Sequence, residues 1–324
     1  MNEDRNLTKR LIIRNLREEE IEKAEELVRL AFGTFLNIPE PLENPLGRRN
    51  IAHRFHQDPR NVLAAILDGK LVGTNVLTRW GSFAFFGPLA VRPELWGSNI
   101  GTRLVREALE RFASNGVSNL GLFTFSDSPK HLGLYHKFGF CSRFLTPLME
   151  KQIEAPTLDN SELYQTFGDL DQEKRKALLS KLRNLTNALY PGLDLTSEIE
   201  LVEARKMGDS VIILNEDSQP VGFAIIQSGV NTEAGLNRCY VKFGATVLGP
   251  EGAEYFGRLL SACEAFAYQK KAEVLEAGIN LSHREAFDLM LAKKYRISFI
   301  GVAMQKPNEP AHEREGTFVM DDWR

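Results

Sequence analysis

The stretch from Gly87 to Leu104, GPLAVRPELWGSNIGTRL, carries the residue types and spacing best suited to binding chemistry. A strand-like apolar run ends at Val91. A loop containing Gly97 and Gly101 follows, and the chain passes straight into a helix-like run. Such a loop aims several backbone N–H groups at one point. The first amides of a helix have no partner within it, and the helix dipole adds positive potential there, so a phosphate group is the natural occupant. Glycine lets the backbone approach that group with no side chain in between. The segment is not G-x-x-x-x-G-K-[ST], and it lacks the three glycines of a dinucleotide fingerprint. Spacing alone leaves a purely structural strand-to-helix turn equally open.

A second group lies downstream, in Ser128 to Phe140, SPKHLGLYHKFGF. Tyr135 sits on a short helical stretch closed by Gly139, with Asp127 and His131 close by in the chain. A phenol with an ordinary pKa of about 10 is protonated at neutral pH and can give a proton to a leaving group of similar basicity. The structural alternatives are a packed tyrosine, a surface histidine and an aspartate that caps the helix.

These residues need elements to position them. Leu11 to Arg14 reads as a strand and Glu18 to Ala31 as a helix, with Ile21, Ala24, Leu27, Val28 and Ala31 on one face. Phe32 to Leu46 is rich in proline and apolar residues and reads as a loop or broken helix over a pocket. A three-strand meander follows: Asn61 to Leu67, a turn at Asp68-Gly69, Lys70 to Arg79, and Ser82 to Val91. Gly101 to Ala113 is a helix, Leu120 to Phe125 a strand, His131 to Lys137 a helix and Phe140 to Glu150 a strand.

After a polar connector, Thr157 to Asp171, the same order recurs. Helices are expected over Gln172 to Leu189 and Ser197 to Lys206. Strands follow over Ser210 to Asn215, Gln219 to Gln227 and Arg238 to Leu248. The last elements are helix Gly252 to Gln269, strand Ala272 to Ile279, helix His283 to Lys294 and strand Ile297 to Gln305. Pro307 to Arg324 is polar and reads as a tail or a swapped arm. The class is mixed α/β, with an antiparallel start and a parallel crossover in each half, and a duplication accounts for the order. The expected domains are residues 1–155 and 156–324.

The two segments together resemble the GNAT N-acetyltransferase superfamily over residues 11 to 150. In that family a strand is followed by V-x-P-x-x-[RQ]-G-x-G-x-[GA] and a helix. Val91, Pro93, Gly97 and Gly101 match here, while Trp96 and Asn99 replace the usual basic or amide residue and glycine. The family's last-helix pattern, N-x-x-A-x-x-L-Y-x-x-x-G-F, is met by Leu134, Tyr135, Gly139 and Phe140, with Ser128 and His131 replacing asparagine and alanine. The resemblance implies an acetyl-CoA-dependent enzyme built from two tandem domains of this type. It implies a pantetheine arm along Leu89, Ala90 and Val91. It puts the diphosphate on the amides of Trp96, Gly97, Ser98, Asn99, Ile100, Gly101 and Thr102, with Ser128 beside the cofactor. Tyr135 takes the general acid's position. Asp127, His131 and Glu94 are candidate bases, and Phe32, Phe35, Arg79, Trp80 and Phe86 are candidate substrate contacts.

The second half departs from the pattern. Met290 stands where the tyrosine belongs, Lys294 and Tyr295 replace glycine and phenylalanine, and Glu251 lies in the would-be phosphate loop. This half reads as a degenerate copy that completes the substrate pocket or forms a homodimer. The acceptor expected is a small-molecule amine. An acyl-CoA-binding regulator and a protein acetyltransferase are the competing readings.

Composition narrows the classes further. Forty basic and 43 acidic side chains, well mixed, give a net charge of -3 and no nucleic-acid footprint. Three scattered cysteines make neither a disulfide framework nor a zinc site, and they read as buried thiols, so no metal is expected. The start MNEDRNLTKR lacks the apolar core of a signal peptide, and no run is long and apolar enough to span a membrane. A cytoplasmic location is the expectation.

Overall fold

A computed structural model describes residues 10–43, 50–155 and 164–324. The chain packs as two compact units. One comprises the described residues up to Arg79, Ala84–Ser118 and Arg324; the other comprises Trp80–Phe83 and Asn119–Trp323.

The first unit contains β1 (Leu11–Asn15), α1 (Ile21–Phe35), α2 (Asn50–Gln57), β2 (Val62–Leu67), β3 (Lys70–Trp80), β4 (Phe83–Val91) and α3 (Ile100–Ala113). The strands are adjacent in the order β1-β2-β3-β4, with β1 and β3 antiparallel to β2. Asp68 and Gly69 turn the β2–β3 hairpin at φ 49° and 77°, the left-handed pair that a tight hairpin demands. Ala24, Leu27, Val28 and Ala31 of α1 pack with Ile51 and Phe55 of α2 against Val62, Ala64 and Ile66. That apolar spacing is why 21–35 is helical. Gly73 on β3 is needed for close approach: a Cβ there would lie 3.1 Å from Leu104 Cδ1 and 3.2 Å from Ile100 Cγ2 of α3.

The second unit contains β5 (Asn119–Phe125), α4 (Pro129–His136), β6 (Cys141–Gln152), β7 (Gln165–Thr166), α5 (Gln172–Leu189), α6 (Thr196–Ala204), β8 (Gly208–Leu214), β9 (Pro220–Gly229) and β10 (Gly235–Thr246). It continues with α7 (Gly252–Gln269), β11 (Val274–Gly278), α8 (Arg284–Ala292), β12 (Arg296–Lys306) and β13 (Val319–Met320). Strand order is β5-β12-β6-β11-β10-β9-β8-β7, with β13 on β10. The parallel crossover expected in the second half is present, since β10 and β11 run parallel from Arg238↔Val274 to Val241↔Ala277.

The two closing strands are exchanged between the sequence repeats. β6 pairs antiparallel with β11, β12 pairs antiparallel with β5, and β6 and β12 pair with each other. Periodicity marks each strand but says nothing of its partner, so this exchange is not readable from the sequence. A core of Val211, Val221, Ile226, Phe256, Leu260, Cys263, Phe266, Leu275 and Met290 holds the β8–β11 sheet to α7 and α8.

Other expectations shift. Of the expected loop or broken helix, Phe32 to Phe35 are the end of α1 and Pro41–Glu43 form a single 3-10 turn; residues 44–46 lie outside the described residues, as do 157–163 of the connector. Helix α2 was not expected at all. Within the tail, residues 307–310 and 314–316 are exposed, but Thr317 to Trp323 are all buried. Cys239 and Cys263 are buried free thiols, whereas Cys141 is only half-buried.

Candidate active site

The segment expected to hold phosphate, Gly87 to Leu104, lies in the first unit. β4 delivers Leu89, Ala90 and Val91, and the Arg92 amide still bonds to Val72 O at 2.9 Å, so the strand's end stays tied to β3. Pro93 starts a single 3-10 turn, Pro93–Leu95. The Trp96 amide then bonds Pro93 O at 3.1 Å and the Ser98 amide bonds Leu95 O at 3.2 Å. Those two donors serve the turn itself, which narrows the expected cradle to Gly97 and residues 99–102.

Two positive φ values shape that cradle. Gly97 has φ 87° with open space where a Cβ would sit, and Asn99 caps α3 at φ 63°. Asparagine tolerates the left-handed region better than most residues, so it replaces glycine here without breaking the turn. Its side chain makes no capping bond. The first helical bond runs from Arg103 N–H to Asn99 O at 3.1 Å, which leaves the amides of Ile100, Gly101 and Thr102 at the positive end of the helix without helical acceptors. These donors fit a diphosphate, and the extended residues 89–91 before them fit an amide-bearing arm.

Trp96 takes a different role from the basic residue it replaces. Its indole Nε1 donates to Val91 O at 2.8 Å, pinning the loop to the strand end. Ser98 Oγ donates to Leu95 O at 2.5 Å, a further internal tie. Glu94 is exposed and sits 3.6 Å from Arg92.

Tyr135 belongs to the second unit. Ser128 caps α4 by accepting from the His131 amide at 3.4 Å, and Pro129 fills the first helical position. The cap is therefore Ser128, not Asp127, which is exposed in the turn after β5. Gly139 ends the helix at φ 81°, its amide bonding His136 O at 3.0 Å, and the Phe140 amide returns to Tyr135 O at 3.2 Å. This closure buries Tyr135, whose ring centroid is 6.5 Å from that of Phe140. Burial pushes the phenol well above its usual pKa, so it stays protonated throughout the neutral range. His131 is half-buried, 5.8 Å from the Phe125 ring centroid. Burial, aided by Lys130, lowers its pKa, which leaves a neutral imidazole able to accept a proton.

The expected substrate contacts fall in different settings. Phe32 and Phe35 are half-buried at the end of α1, and Phe32 packs on that unit's core. Arg79 is exposed, with Nη1 3.5 Å from Asn115 O, and Phe86 is buried. Trp80 is fully buried in the second unit; its Nε1 donates to Glu198 Oε2 at 3.3 Å and its ring lies 5.5 Å from Phe243. Those contacts make it a packing residue, hidden from sequence reading because an aromatic triplet looks alike in a core and in a cleft. Among the described residues no group of three His, Cys, Asp or Glu could hold a metal. No helix among them is long and apolar enough to cross a membrane.

Residues 23–140 match the sequence profile of the Acetyltransferase (GNAT) family. No curated protein matches the chain. Solved structures share the fold over nearly its whole length. A protein of Pyrococcus horikoshii assigned as an acetyltransferase superposes with TM-score 0.68 at 18% identity, covering 96% of this chain and 93% of that one. A GCN5-related N-acetyltransferase from Sphaerobacter thermophilus gives 0.64 at 14% identity, covering 93% and 97%. A tandem GNAT protein from the clavulanic acid biosynthesis pathway gives 0.56 at 12% identity, covering 93% and 99%. The mixed α/β fold of the chain is that of tandem GNAT proteins.

Proposed function

We propose that residues 23–140, which match the Acetyltransferase (GNAT) family profile, act as an acetyltransferase domain and that the chain moves an acetyl group from acetyl-CoA to the primary amine of a small molecule. The observation that carries this reading is the set of helix-start amides at residues 100–102, presented by left-handed Asn99 and open Gly97. In this account those amides take the diphosphate, and Leu89 to Val91 supply backbone partners for the pantetheine. The reaction forms an N–C bond and breaks the C–S bond of the thioester. Tyr135 gives its phenolic proton to the departing sulfur, and His131 or Asp127 takes the proton that the amine loses. A protonated, buried phenol and a neutral imidazole are in the right states for those transfers. Phe32, Phe35, Arg79 and Phe86 are the residues we assign to the amine's surroundings.

Residues 1–155 carry the chemistry in this reading, and 156–324 form a degenerate copy. Met290, at the tyrosine's position, is a fully buried core residue. Free thiols at Cys141, Cys239 and Cys263 suit a reducing cytoplasm. The test is release of free thiol from acetyl-CoA on adding small primary amines, with lysine-containing peptides as a second arm. Turnover with small amines supports the proposal. Turnover with peptides alone would make it a protein acetyltransferase, and none with either would leave a binding role.

A further inference from the structure

The second half has the same strand–loop–helix plan as the first, and all of its parts lie in one unit. β10 and β11 pair in parallel only as far as Val241↔Ala277. β10 then breaks register between Val241 and Phe243 while still pairing with β9 on its other side. Beyond that point the two parallel strands separate. The edge of β10 that β11 has vacated would hold unpaired backbone groups, an arrangement that accepts an extended, amide-bearing chain.

The chain's own C-terminus is that occupant. Val319 and Met320 pair antiparallel with Ala245 and Gly244 on the vacated edge. The Thr246 amide bonds Phe318 O at 3.2 Å. Tyr240 OH on β10 donates to Asp322 Oδ1 at 2.8 Å. On the opposite wall, a Cβ on Gly278 of β11 would collide with Asp322. At the start of α7, a Cβ on Gly252 would lie 2.8 Å from the Phe318 ring. At the start of α8, Thr317 Oγ1 and His283 Nδ1 are 2.8 Å apart. The segment thus touches both diverging strands and the first residues of both following helices. Three glycines clear its path, since a Cβ on Gly244 would also sit 2.7 Å from Met320 Cε. Every residue from Thr317 to Trp323 is buried. Further ties hold the far end: His312 Nε2 and Asp321 Oδ2 are 2.5 Å apart, and Trp323 Nε1 donates to Asp321 Oδ2 at 3.0 Å.

We infer that Thr317–Trp323 is a built-in ligand of the second half: it fills the cleft corresponding to the donor cleft of the first half, so the chain takes up acetyl-CoA at one place only. The correspondence rests on the function proposed above; the seating of the tail does not. The sequence change at the would-be phosphate loop agrees with this. Glu251 precedes α7 in place of a cradle for an anion, and the group over that helix start is the apolar Phe318.

Hydrogen–deuterium exchange on the full chain, with and without saturating acetyl-CoA, separates the two ideas. The inference predicts that the amides of 317–323 exchange at least about a hundredfold more slowly than an unstructured peptide, as for buried, paired backbone. It also predicts that acetyl-CoA slows exchange over 91–103 while leaving 244–252 and 317–323 unchanged. Protection gained at 244–252, with faster exchange in the tail, would overturn the inference, because the donor would then displace the tail. Unprotected tail amides without ligand would overturn it as well. A protected tail with no effect of acetyl-CoA anywhere would keep the built-in ligand and defeat the donor reading. Full-length Met320→Glu puts a charge in the seat and should speed tail exchange more than tenfold; unchanged exchange would show that the tail is held elsewhere.

Discussion

Tyr135→Phe removes one oxygen and keeps the ring. The ring is buried and set edge-on to Phe140, so packing survives and folding stability changes by about 1 kcal/mol, the usual net worth of one hydroxyl's hydrogen bonding. Catalysis should suffer much more. Removing a general acid costs about 10²–10⁴ in rate. The lower end, a hundredfold, corresponds to about 2.7 kcal/mol of barrier. Since burial holds the phenol's pKa above its ordinary value, the wild type should show no alkaline loss of acid function up to about pH 9. The assay is steady-state thiol release beside calorimetric binding of acetyl-CoA. We predict a fall of about a hundredfold in kcat with Kd for acetyl-CoA within twofold. An unchanged kcat would make Tyr135 a packing residue. A Kd weakened as much as kcat falls would make it a binding residue, and either result refutes the assignment.

Other predictions concern packing and pH. Trp80→Phe breaks the bond to Glu198 and shrinks a fully buried side chain, so unfolding by urea should show a loss of about 1–3 kcal/mol; amine KM should stay within twofold, and a selective KM rise would return Trp80 to the substrate site. His283 is buried beside Thr317, and burial lowers its pKa to about 4, against an opposing pull from Asp321. Its unfolded pKa is about 6.5, so the unfolded chain binds the extra proton between pH 6.5 and 4, and stability falls as pH drops through that window by about 3 kcal/mol. His312 has the opposite slope: burial lowers its pKa, but Asp321 lifts it above the usual value, so its contribution is present below about pH 6.5 and fades as pH rises. Urea midpoints of His283→Gln should therefore show a flatter acid slope than the wild type; identical slopes would remove His283 from the account.

The elements whose signals are local were legible. Gln172–Leu189 and Gly252–Gln269 are helices over the residues expected, the first opened by Asp171, which accepts from the Lys174 amide. The strand–turn–helix shape of Gly87 to Leu104 was legible because left-handed turns and helix starts depend on a few neighbouring residues. Helix α2 was missed: in NIAHRFHQ only Ile51 and Phe55 carry the apolar face, too short a repeat to stand out. The tail was misjudged because its polar residues satisfy one another inside the protein. His312 with Asp321, Tyr240 with Asp322 and Thr317 with His283 are buried pairs 9 to 82 residues apart, and a pattern of hydrophobicity cannot distinguish paired polar groups from solvated ones. Trp80 and the exchange of β6 and β12 were hidden for the same reason: both are set by partners far along the chain.

The central claim is that the helix-start amides of the first half hold the donor. Calorimetric titration with acetyl-CoA, of the wild type beside Gly101→Glu, tests it most directly. A glutamate at 101 places a side chain and a negative charge at the amides meant for the diphosphate. The account predicts one site per chain in the wild type and none in the variant, with both proteins folded by circular dichroism. Tight binding that survives in Gly101→Glu would contradict it.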